Sequence, residues 1–199
     1  MRTAPTSALV AVLALGLAAC SSGDPGTAYP VQPAVSSASQ AAKASQLPPR
    51  PSNLSLTGVD PCDLIGQAQL DELQVNSVPR EATDPQDGPT CVFDADKTEP
   101  FHAYHLRTVQ ADLQEWLTGA RRKNSMTTAP FAVEGYPALT SYRAAGTPSD
   151  CEVLVGVAKG QTLAAQAFAV TSGADSQSQL CELATRAAGF AVQYLETRS

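Results

Sequence analysis

Leu180, Leu183, Ala184, Ala187, Ala191 and Tyr194 recur at intervals of three and four residues, so they share one stripe of a helix and predict that the chain ends in one. Upstream the apolar period changes to two. Val153, Val155 and Val157 share a face with Cys151, and the Lys159-Gly160-Gln161 junction turns the strand at 151–158 back into a second at 162–170. Further strands are predicted at 75–80, 91–93, 101–108, 131–133 and 136–143, with a Pro-, Asp- and Gly-rich loop over 79–89.

Two helix starts punctuate these strands. Asp60 can cap a helix with Pro61 at its first position and Asp63 at its positive end, followed by an inward stripe of Leu64, Ile65 and Ala68. Asp112 followed by Glu115 resembles a capping box, and Leu113, Trp116, Leu117 and Ala120 keep helical spacing until Arg121, Arg122 and Lys123 close the element. Trp116 lies on that stripe, which marks it as core rather than as a ligand-stacking residue. The order is helix, strands, helix, strands, helix, with links too short for parallel crossovers. The expected class is α+β: an antiparallel sheet with helices packed on it, the first and last side by side.

Composition changes sharply ahead of Asp60. Residues 21–59 hold six Pro, eight Ser and one aromatic, Tyr29, a mixture too poor in apolar surface to offset the entropy of ordering. They read as a disordered linker, and residues 60–199 as a single folded domain. Within 60–199, eighteen Asp plus Glu outnumber ten Lys plus Arg. Such a balance speaks against nucleic acid, which needs a basic surface.

The chain opens with Arg2, an apolar run over residues 8–19 and then Leu17-Ala18-Ala19-Cys20, the layout of a secretory signal. Small residues directly before a cysteine resemble the lipobox of bacterial lipoproteins. That resemblance implies cleavage after residue 19, a diacylglyceryl group and palmitate-type acyl chains on Cys20, and residence on the outer face of the cell membrane. The apolar run is too short to span about 30 Å of hydrocarbon.

Export changes how the other cysteines read. Cys62, Cys91, Cys151 and Cys181 are even in number, and their spacings of 29, 60 and 30 contain no Cys-x-x-Cys pair. Two disulfides are expected. Of three possible pairings, adjacent first and last helices favour Cys62 with Cys181 and Cys91 with Cys151.

Asp60-Pro61-Cys62, Cys91-Val92-Phe93, Gly135-Tyr136-Pro137-Ala138, Cys151-Glu152-Val153 and Cys181 form an ordered set. Together they resemble an actinobacterial lipoprotein family, domain of unknown function 3558. Members often carry Trp two residues after the second cysteine, where this chain has Phe93. The resemblance implies an exported α+β domain with disulfides and supplies no catalytic residue.

Chemistry-bearing groups are sparse. His102 and His105, three apart in a strand, point to opposite faces, which makes them separate edge or surface positions. No serine sits in a Gly-x-Ser-x-Gly or Ser-x-x-Lys arrangement. Asp94 and Asp96 lack the glycine and terminal glutamate of a calcium loop. The expectation is a non-catalytic binding or interaction module of the cell envelope, without cofactor or metal. Its partners would be the membrane, through Cys20, and an envelope protein, polymer or small ligand. The alternative is an envelope hydrolase with dispersed carboxylates, since two acids distant in sequence can meet in a cleft.

Overall fold

Seven strands, each antiparallel to its neighbours, carry the fold: β1 (Arg80–Asp84), β2 (Gly88–Ala95), β3 (His102–Val109), β4 (Met126–Val133), β5 (Tyr136–Arg143), β6 (Asp150–Ala158) and β7 (Gln161–Ala169). Their order in the sheet is β1-β2-β3-β7-β6-β5-β4. A 3-10 turn (Pro61–Asp63) and three helices, α1 (Gln67–Glu72), α2 (Gln114–Leu117) and α3 (Gln177–Thr197), complete an α+β domain. The computed structural model describes residues 47–199. The signal segment, Cys20 and the linker as far as residue 46 lie outside the described residues.

One face of the sheet carries the main apolar core. Phe93, Tyr104, Ala167 and Cys151 stand in register across four strands and are essentially solvent-free. α3 lies over β6 and β7, burying Leu180, Ala184, Ala187, Ala188, Ala191 and Val192. The alanines let its backbone approach the sheet closely. A capping box starts the helix, with Ser176 Oγ accepting from Gln179 N and Gln179 Oε1 accepting from Ser176 N.

The 3-10 turn covers the other half of this face, over β2 and β3. Helix and turn therefore occupy different halves of the sheet, and the disulfides differ from the expected pairing. Cys62 bonds Cys91, and Cys151 bonds Cys181. β3 and β7 separate β2 from β6, so Cys91 and Cys151 are three strand spacings apart, about 14 Å. A disulfide reaches only about 7 Å between Cα atoms. Each helical cysteine can meet only the strand beneath it.

The first predicted helix is broken in two. Asp60 caps the 3-10 turn, its Oδ1 accepting from Cys62 N at 2.8 Å, but Gly66 is extended and α1 restarts after it. The strand predicted at 75–80 begins instead at Arg80, and most of the predicted loop over 79–89 is the β1–β2 hairpin. β1 is an exposed edge strand with no buried side chain, so it shows no alternation of apolar residues. α2 is shorter than predicted and ends at Leu117. A Cβ at Gly119 would lie 2.7 Å from Glu115 Cα, so the chain reverses there more tightly than any larger residue permits.

The folded domain also begins earlier than Asp60. Leu54 and Leu56 are 1% and 2% exposed, Leu54 N donates to Val157 O at 2.9 Å, and Ser52 Oγ shares a 2.7 Å hydrogen bond with Tyr136 OH. Three apolar residues, Leu54, Leu56 and Val59, anchor a stretch whose average composition is that of a linker.

Candidate binding cleft

The second face of the sheet is divided. At one end Val109, Leu113, Leu139, Leu154 and Ala164 form a small second core, joined by Leu47, Trp116 and Leu117. Asp112 secures this lid: its Oδ1 accepts from Gln114 N at 3.1 Å and its Oδ2 from Gly160 N at 3.2 Å. Beyond the second core the face turns polar. Here the sheet forms the floor of an open cleft of about 690 Å³, walled by the β1–β2 turn and by α2 with the loop after it.

Alternation builds the floor. Gln166 and Glu152 stand opposite each other on β7 and β6, pointing away from α3 because their neighbours Ala165, Ala167, Cys151 and Val153 point toward the apolar core. Arg107 on β3 faces Ala164, and the small partner leaves room for its guanidinium to turn along the sheet. Its Nη2 donates to Glu152 Oε1 and, at 2.9 Å, to Gln166 Oε1; Gln166 Nε2 passes the chain on to Asp150 Oδ2 at 2.8 Å. Asp84 and Asp87 each approach Arg107 Nη1 at 3.7 Å from the hairpin turn. The Arg107 side chain is only 8% exposed, and its Nε is buried with no hydrogen-bond partner among the described residues.

The wall is equally interlocked. Arg121 Nη1 pairs with Asp87 Oδ1, Arg121 Nε lies 3.6 Å from Glu115 Oε2, and the guanidinium carbon sits 4.9 Å from the Trp116 ring centroid in a cation–π contact. Four carboxylates and three basic groups line the cleft, so opposite charges nearly balance.

Burial sets the proton affinities. It raises the Glu152 carboxyl above the usual glutamate value, with Arg107 pulling the other way. Asp84 is shifted down, chiefly because Gln86 N donates to its carboxylate, Oδ1 accepting at 2.8 Å. Burial, then repulsion from Arg107, lowers His105, which packs against Phe168 with ring centroids 4.6 Å apart.

His102 and His105 do lie on opposite faces, as expected. Neither is at an edge, since β3 is an interior strand; His102 is buried with its Nε2 3.0 Å from Asp175 Oδ2, whereas His105 is partly exposed. Asp94 pairs with Arg80 at 2.8 Å, and Asp96 accepts from Asn76 Nδ2 at 2.9 Å. Trp116 is both part of the second core and part of the cleft wall. Arg121 does not close a helix; it follows α2 and braces the wall. Arg107, Glu152 and Gln166 escaped the sequence reading. Their one signal is a charged or amide side chain set between apolar neighbours in three strands that also face a core.

Among the described residues no three His, Cys, Asp or Glu side chains are grouped to hold a metal ion. No curated protein and no solved structure matches the chain. A family model described as Protein of unknown function (DUF3558) matches residues 15–194, and the chain belongs to that family.

Proposed function

We propose that the protein is a lipoprotein anchored at the outer face of the cell membrane through Cys20, and that its folded domain is a non-catalytic binding module of the envelope. Leu17-Ala18-Ala19-Cys20 supports the anchor, and two disulfides suit an oxidising compartment outside the cytoplasm. The observation that carries the binding reading is the cleft. Its charged groups are held by one another in a preformed array, which suits recognition by hydrogen bonds more than covalent or acid–base work.

Two measurements test this reading. Mass spectrometry of the protein from an exporting host should find acylated Cys20 as the first residue; an unmodified chain starting at Met1 overturns the anchor. A screen of purified protein for turnover, with mass spectrometry of copurifying molecules, should find a bound molecule and no hydrolysis.

One observation favours a second reading. Glu152 is a buried carboxyl with raised proton affinity near Asp87, the kind of environment that keeps a general acid protonated. In an envelope hydrolase, Glu152 would donate the proton and Asp87 would activate water. Turnover lost in both Glu152→Gln and Asp87→Asn, with the fold intact, would replace the binding reading by this one.

A further inference from the structure

Resting on the binding reading, we infer that the Arg107–Glu152–Gln166 cleft takes a neutral polyhydroxylated ligand, a saccharide, rather than an ion. Four carboxylates and three basic groups, most of them paired with one another, give neither an anion nor a cation a strong net attraction. A hydroxyl group both donates and accepts, so a ligand rich in hydroxyls can meet guanidinium N–H groups and carboxylate oxygens side by side. The Nε–H of Arg107 is unpartnered among the described residues and buried from solvent, which costs stability, and a ligand oxygen reaches it only if the guanidinium turns toward the cleft. Trp116 and Met126 line the same space and offer apolar contact to the C–H groups of a sugar ring. The cleft volume of about 690 Å³ lies within the range of small-molecule sites, about 300–1,000 Å³.

The geometry provides its own reporter, because Trp116 is the only tryptophan in the chain and lines the cleft. The full chain is titrated with maltotriose, cellotriose, citrate and spermidine while tryptophan emission is followed. A further arm uses phosphatidylcholine vesicles with and without a galactosyl diacylglycerol, to separate a free glycan from a glycolipid headgroup. A saturable emission change is expected with a trisaccharide or with the galactolipid vesicles and not with citrate or spermidine. Gln166→Leu, which keeps the side-chain size, should weaken that response about tenfold, the value of one hydrogen bond of about 1.4 kcal/mol. The exposed-surface variant Arg80→Ala should leave it unchanged.

A response to citrate or spermidine alone overturns the ligand class and leaves the binding reading standing. Silence with every probe overturns the saccharide assignment too; if the purified protein also carries no bound molecule and shows turnover, the binding reading falls with it. A trisaccharide response insensitive to Gln166→Leu places the sugar outside the cleft and likewise overturns the inference.

Discussion

Arg107 on β3 reaches across β7 to the carboxylate of Glu152 on β6, two strands away. The contact passes over Ala164 and is shared with Gln166, so the floor of the cleft is a single hydrogen-bonded unit. Both charges are largely withdrawn from water. Removing Arg107 alone would leave Glu152 without its partner, and Arg107→Met should destabilise the domain by about 3–5 kcal/mol at neutral pH, measured by urea denaturation.

Glu152 also predicts a pH dependence. Its folded-state proton affinity is raised above the ordinary value of 4.5, so its contribution to stability is full below that value and is lost as pH rises through the folded-state value. Glu152→Gln imitates the protonated form. Denaturation of parent and variant across a pH series should show the difference moving in favour of the variant as pH climbs above 4.5. A difference constant with pH would mean that the carboxyl titrates normally.

Peptide mapping without reduction should recover Cys62 joined to Cys91 and Cys151 joined to Cys181. These bridges close loops of 29 and 30 residues, for which chain entropy gives about 3–4 kcal/mol each. Replacing either pair by serine should lower the urea midpoint accordingly. Recovery of Cys62 with Cys181 would contradict the placement of the 3-10 turn and α3 over separate halves of the sheet.

A fragment beginning at Asp60 should be far less stable than one beginning at Leu47. It lacks Leu54, Leu56 and Val59, all buried in the main core. At about 1.5–3 kcal/mol per buried side chain, the loss is about 5–9 kcal/mol, comparable to a whole domain's stability. Thermal unfolding of the two fragments decides the point.

Tyr104 should resist ionisation. Burial pushes its hydroxyl up to about 12, and that hydroxyl donates to Leu73 O at 3.4 Å. The folded form holds the proton beyond the ordinary value of 10, so stability from this group is lost as pH rises toward 12. Absorbance titration should therefore show a late ionisation near pH 12, and Tyr104→Phe should abolish that step. At neutral pH the substitution should cost about 1 kcal/mol.

Periodicity along the chain determined the elements that bury a face. Leu180 to Leu195 repeats at helical spacing because one side of α3 meets the sheet, and Val153, Val155 and Val157 alternate because one side of β6 meets α3. Four cysteines beyond Cys20, after an export-like start, indicated two disulfides. Elements that bury little left no such trace: β1 exposes its side chains to water, and residues 47–59 are held by three apolar residues amid prolines and serines. Tertiary structure alone decided the rest. The strand order β2-β3-β7-β6 sets Cys91 and Cys151 beyond bonding reach, and the same order brings Arg107, Gln166 and Glu152 within reach of one another. Both outcomes depend on which strands lie side by side, a long-range pairing that local spacing does not encode.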